Sequence, residues 1–260
     1  VGIDNGVRWR SIDAVVIGSS HLSSQSECQD AAATRIVGGV QADTLLIALS
    51  DGAGSAKFSA RGSASICTTL LDVAQDALVL QAARDLTDDE VRGWLLLARE
   101  HLAGLAREVE CDLREFAATA LLIVVAEDHA ICVQVGDGAI IVRESDDQPF
   151  EVAHWPASGE YANQTFFLTE TGVAEGASVR RFGRLQDVLG FTDGLQLLGL
   201  SNATRSAYSP FCLPLIATLR SDPRADDDLR EALRSYLASD VVRARSDDDL
   251  SLVLATRLSA

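Results

Sequence analysis

Four aspartate clusters mark places where apolar stretches of this chain begin or end: Asp51-Gly52, Gly136-Asp137-Gly138, Thr192-Asp193-Gly194 and Asp247-Asp248-Asp249. An Asp-Gly step after a strand carries a carboxylate to the edge of a sheet, where glycine lets the backbone turn. One such step is an ordinary turn. Four of them, from distant parts of one chain, can gather hard oxygen ligands around divalent cations. That is the arrangement a metal-assisted hydrolase needs, in which two cations about 4 Å apart activate a water and neutralise a phosphoryl group. Carboxylates and carbonyls suit Mn or Mg, whereas zinc favours clustered histidine and cysteine. The four histidines here are isolated from one another along the sequence.

Each cluster also has a plainer reading. Asp51-Gly52 and Asp193-Gly194 can be simple turns. Gly136-Asp137-Gly138 has the form of a hairpin turn between two strands. Asp247 to Asp249 can be a solvated acidic loop. The plain readings must all hold independently, and this weights the joint pattern towards a metal site.

The elements that would position these groups follow from hydrophobic periodicity. Residues 13–18 and 44–50 read as short strands, separated by a polar loop containing Ser19, Ser20, His21, Gln29 and Asp30. A helix is predicted from about Ser55, its N-cap, to Leu80. Thr87 and Glu90 form a Thr-x-x-Glu capping box, and apolar residues from Val91 to Val109 follow at helical spacing. Residues 118–126 are nearly all apolar and read as a central strand buried on both faces. With 130–135 and 139–143 they suggest an antiparallel meander. Residues 145–164 read as a loop or flap. Residues 165–169 and 186–192 read as strands, 226–237 as a helix and 250–256 as a closing strand. The order argues for one α+β domain, residues 1–260, with helices packed on sheets.

The formal charge of −16 and pI of about 4.5 repel phosphate backbones and anionic lipid, so nucleic acid and membrane are set aside as partners. No run reads as long and apolar enough to span a bilayer. Five dispersed cysteines, with no CxxC pair, argue against a disulfide framework or zinc knuckle and for reduced thiols in the cytoplasm.

Read in order, these segments resemble the metal-dependent serine/threonine phosphatases of type 2C, and more narrowly their compact bacterial branch. The segments are Gly18-Ser19-Ser20-His21, Cys28-Gln29-Asp30-Ala31, Ala48 through Ala56, Ala118-Thr119-Ala120, Val135 through Gly138, Phe191 through Gly194 and Asp247 through Ser251. Each is short, but together they span nearly the whole chain. The resemblance implies a central β-sandwich flanked by helix pairs, with a dinuclear centre at one end. It implies that Asp51 bridges two Mn or Mg ions, that Gly52 offers its carbonyl, that Asp193 and Asp248 complete the pair and that Asp137 serves a third, weaker ion. Asp30 would orient water. A water bridging two metals would then attack phosphoserine or phosphothreonine in a phosphorylated protein substrate, in a signalling pair with a serine/threonine kinase. Two departures stand out. Ala53 occupies the place of the family's general-acid histidine, and residues 15–17 offer no phosphate-gripping arginine. His21, Lys57 and Arg61 are the candidates to bind phosphate in its stead, with His21 also a candidate proton donor. These departures keep two alternatives open: a non-catalytic phosphoprotein-binding module on the same fold, and a hydrolase of small phosphoesters.

Overall fold

The apolar runs are explained by burial on two sides at once. In the computed structural model, which describes residues 8–38, 43–156 and 165–258, strand β3 (Asp43–Ser50) lies inside a sandwich. Its Leu46 and Ala48 face a helical layer with Ile66, Leu70 and Trp94. Its Leu45, Ile47 and Leu49 face the opposite sheet, with Ile140, Val188 and Val253. Strand alternation therefore feeds two cores from one continuous hydrophobic segment. Strand β4 (Ala120–Val125) does the same, with every residue buried. Full burial of each such side chain contributes about 1.5–3 kcal/mol before conformational entropy is set against it.

The first sheet runs in spatial order β1 (Arg8–Val16), β12 (Leu250–Leu258), β9 (Asp187–Phe191), β6 (Ala139–Arg143) and β7 (Glu151–Val152). The second runs β2 (Ala31–Gly38), β3, β4, β5 (Ala130–Val135) and β8 (Ser178–Phe182). All these pairings are antiparallel. Helices α2 (Ser59–Leu80) and α3 (Asp88–Glu108) cover the second sheet, and α6 (Ser209–Ser221) and α7 (Asp226–Leu237) cover the first. Short helices α1 (Ser19–Ser24), α4 (Val173–Gly176), α5 (Gln196–Gly199) and α8 (Asp240–Arg243) lie in the connections, as does the small hairpin of β10 (Leu200–Ser201) and β11 (Ser206–Ala207). The architecture is helix, sheet, sheet, helix, as the α+β reading anticipates.

Several local expectations change. The stretch 118–143 is not a meander: β4 pairs with β5, but β6 belongs to the other sheet, beside β9. Gly136-Asp137-Gly138 is thus a crossing between sheets, and Gly136 takes φ +101° to make it. Helix α2 begins at Ser59 rather than Ser55, because residues 53–58 are held as a loop against the 115–117 segment. Ala53 N–H donates to the Ala117 carbonyl at 2.9 Å and Phe58 N–H to that of Glu115 at 2.7 Å. Residues 165–169 form no strand. Strands β2 and β8 and helix α6, which carries Pro210 and Pro214, are additional. Helix α2 is also long and apolar enough, by composition alone, to cross a membrane. Here it packs on the sheet through Ile66, Leu70, Leu71, Ala74 and Leu78. The expected flap falls partly on residues 157–164, outside those described.

Candidate metal centre

Strand register brings the aspartates to one end of the sandwich. Val16, the last residue of β1, pairs with Leu250, the first of β12. Phe191, the last of β9, lies between Leu252 and Ala139, the first residue of β6. In the other sheet Ser50, the last of β3, pairs with Ala31, the first of β2. Asp51, Asp137, Asp193 and Asp248 therefore all emerge at the same edge. Carboxylate oxygens of Asp51, Asp137 and Asp193 lie within 4.8 Å of one another, each residue partly buried.

The segments that carry these carboxylates are held by their neighbours. The Asp51 backbone is clamped on both sides by Thr119: Asp51 N–H donates to Thr119 Oγ1 at 2.9 Å, and Thr119 N–H donates to the Asp51 carbonyl at 2.8 Å. Gly52 N–H donates to the Gln29 carbonyl at 3.1 Å. A Cβ on Gly52 would sit 2.8 Å from that carbonyl oxygen and from Ser59, so close packing excludes any side chain there. Asp193 opens a 3-10 turn, and a Cβ on Gly194 would meet the Asp249 carbonyl oxygen at 2.2 Å. Neither glycine has a positive φ; both are needed for close approach rather than for a left-handed turn. Asp248 Oδ1 accepts the N–H of Asp249 at 2.8 Å. Thr165 Oγ1 donates to Asp137 Oδ2 at 2.6 Å, and Gln196 Nε2 donates to the Asp137 carbonyl at 2.6 Å. Asp30 lies behind this group, buried, and accepts from Thr192 Oγ1 at 2.7 Å.

The electrostatics of the group call for positive charge. Burial pushes Asp51 up to about 10, with Asp30, Asp193, Asp248 and Asp137 adding repulsion. Burial pushes Asp193 up to about 7, followed by repulsion from Asp137 and Asp248. Asp30 rises to about 7 mainly by burial, against the hydrogen bond from Thr192. Carboxylates crowded in this way hold protons or a cation. Asp137 Oδ1 supplies a separate indication, since it is buried with no hydrogen-bond partner. An orphaned acceptor beside two further carboxylates fits a hard divalent ion, and the all-oxygen donor set fits Mn or Mg.

The remaining candidates make contacts of their own. His21, on α1, places Nδ1 2.9 Å from Asp249 Oδ2. Lys57 extends its ammonium over the Phe58 ring, 5.1 Å from the centroid. Arg61 lies over Phe116 at 5.7 Å and pairs with Glu108 at 3.5 Å. No hydrogen bond or ion pair among the described residues holds Lys57 or Arg61 against the clustered carboxylates. Of the supporting residues, Thr119 and Thr192 lie inside segments that carry the resemblance, although no supporting role is legible there; Thr165 and Gln196 carry no sequence signal of their own, because a lone threonine or glutamine is compatible with any surface. Asp249 had one: it directly precedes a mostly apolar strand, where an acidic side chain is drawn into the core.

Residues 17–234 match the family model described as Protein phosphatase 2C. The chain is 32% identical over 250 residues to "Serine/threonine-protein phosphatase 3" of Escherichia coli (strain K12), spanning 95% of this chain and 98% of that one. It superposes on the crystal structure of a bacterial serine phosphatase with TM-score 0.64 at 15% identity, over 97% of this chain and 99% of the other. On the S. agalactiae serine/threonine phosphatase the values are 0.61 and 16%, over 97% and 100%. At these identities the two structures speak to the fold, whereas the family match and the E. coli relative speak to ancestry.

Proposed function

The chain belongs to the protein phosphatase 2C family, and from that premise we propose that it hydrolyses phosphoserine and phosphothreonine in phosphorylated proteins. It is a metal-dependent protein phosphatase, and its natural counterpart is the kinase that phosphorylates the same substrates. The observation that carries this reading is the meeting of Asp51, Asp137 and Asp193 within 4.8 Å, from segments far apart in the chain. Asp51, Asp193, Asp248 and the Gly52 carbonyl would hold two Mn or Mg ions, and Asp137 a third. Bound there, the ions would supply Lewis-acid chemistry, acidifying water and neutralising the phosphoryl group.

The chain's own residues have separate tasks. Thr119 fixes the backbone of Asp51, the point from which the central carboxylate would reach the ions. Asp30, which accepts a hydrogen bond from Thr192, would accept another from the attacking water. His21 is the candidate to protonate the departing serine or threonine oxygen. Five unpaired thiols among the described residues suit a reducing compartment such as the cytoplasm.

The test is phosphate release from a phosphothreonine peptide, with and without Mn, beside a small phosphate ester. Mn-dependent turnover that favours the peptide supports the reading. Turnover that survives EDTA, or persists in Asp51→Ala, contradicts it. Preference for the small ester would redirect the substrate assignment.

A further inference from the structure

We infer that Thr165 and Gln196 are positioning residues: they hold Asp137 by its carboxylate and by its backbone, and so set how tightly its ion binds. The inference rests on the proposed metal centre, and only the part that ion plays in turnover rests on the phosphatase reading. Asp137 stands between β5 and β6, outside both strands, where no sheet ladder holds it. All three carbonyls of the 136–138 crossing are nonetheless taken. Gln134 Nε2 donates to those of Gly136 at 3.2 Å and Gly138 at 2.7 Å, and Gln196 Nε2 donates to that of Asp137 at 2.6 Å. The flanking glycines are packed as closely. A Cβ on Gly136 would meet the Thr119 side chain at 2.5 Å, and one on Gly138 the Phe191 carbonyl oxygen at 2.8 Å.

Gln196 directly follows the 3-10 turn that Asp193 opens. Its side chain therefore ties the backbone of one candidate ligand to the segment that carries another. Thr165 acts on the carboxylate itself. Its Oγ1 donates to Oδ2 at 2.6 Å, which restrains rotation of the group. Oδ1, buried and with no hydrogen-bond partner, is the oxygen left over for a cation. The donor is seated in turn. Three residues on, Leu168 N–H donates to the Ala118 carbonyl at 2.9 Å, next to the Thr119 that clamps Asp51. Arg99 Nε, from α3, donates to the Thr169 carbonyl at 3.3 Å. Segments around 134, 165 and 196 thus converge on one aspartate.

A ligand already held in place gives up less freedom when it binds an ion, and partners behind metal ligands commonly govern affinity for this reason. The two residues can be tested separately. Valine keeps the branched shape of threonine without its hydroxyl, whereas serine keeps the hydroxyl. Leucine at 196 fills similar space and donates nothing.

The experiment is titration of metal-free protein with Mn alone, followed by the electron paramagnetic resonance signal of free Mn. The step that belongs to Asp137 is the one missing in Asp137→Ala. Thr165→Val and Gln196→Leu should each weaken that step about 10–100-fold and leave the tighter steps unchanged, while Thr165→Ser binds as wild type does. In an Asp137→Ala background neither substitution should alter the titration further. Turnover of Thr165→Val should recover when Mn is raised by the same factor. Four results would each overturn the inference: an unchanged Asp137 step in Thr165→Val and Gln196→Leu, a serine variant as weak as valine, equal weakening of every step, or a wild-type titration identical to that of Asp137→Ala. Should Gln196→Leu fail to fold, as judged by melting in EDTA, the valine and serine pair at 165 still decides. Failure of the phosphatase assignment looks different: the Mn steps remain, and wild type releases no phosphate from the phosphopeptide.

Discussion

Replacing Asp51 by asparagine should abolish catalysis and at the same time make the metal-free protein more stable. Asp51 rises from its ordinary 3.8 to about 10, chiefly by burial and then by the carboxylates of Asp30, Asp193, Asp248 and Asp137. The folded value lies above the unfolded one, so folding takes up a proton. Stability is complete below the unfolded value, falls by about 1.4 kcal/mol per pH unit above it, and stops falling only near the folded value. At pH 7 the metal-free protein thus carries a penalty of roughly 4 kcal/mol at this residue. Asp30 and Asp193 draw on the same protons, so asparagine should recover about 2–4 kcal/mol of it, or roughly 5–15 °C in melting temperature for a chain of this length. The assay is calorimetric melting at pH 7 in EDTA and again in Mn. Wild type should gain about 2.7 kcal/mol at a hundredfold excess of Mn over its Kd. Asp51→Asn should gain little and lose its Mn-dependent turnover. A variant that melts below wild type in EDTA would refute the reasoning, because the carboxylate would then be stabilising a fold that we describe as strained by it.

Other substitutions separate support from chemistry. Thr192→Val removes the donor to the buried Asp30 and should cost roughly 1–3 kcal/mol, measured by urea denaturation in EDTA. Gly194→Ala drives a methyl into the Asp249 carbonyl, 2.2 Å away. It should destabilise by about 1–3 kcal/mol and weaken Mn binding in titration calorimetry. Thr87→Ala removes the capping box of α3; about 1 kcal/mol should be lost with kcat unchanged, since that cap belongs to the outer helical layer.

Much of this organisation is legible in the sequence where a single residue type has a single physical reason. The capping box at Thr87 and Glu90 forms as read, because both partners lie within one helical turn. The apolar runs at 44–50 and 118–126 become inner strands because nothing else buries so continuous a hydrophobic surface. The aspartates at strand ends meet because antiparallel register places those ends together. What could not be read depends on partners distant in sequence. The stretch 136–138 looks like a hairpin locally, and only its pairing with β9 shows that it crosses between sheets. Strand β2 has mixed polarity because it lies at a sheet edge, so its periodicity is weak. Gly52 and Gly194 read as turn glycines, while their reason is a backbone neighbour that no local window contains. Lys57 and Arg61 read as lying on the first two turns of the helix after Gly54; the rings of Phe58 and Phe116 that lie beneath them, and Glu108 beside Arg61, are contacts that no local pattern shows.

The central claim is that Asp51, Asp193 and Asp248 jointly hold divalent cations. Anomalous diffraction from crystals grown with Mn examines it most directly. The account predicts two strong manganese peaks bounded by these carboxylates and the Gly52 carbonyl, with a weaker one at Asp137. Manganese bound elsewhere, or well-ordered carboxylates with no manganese between them, would contradict it.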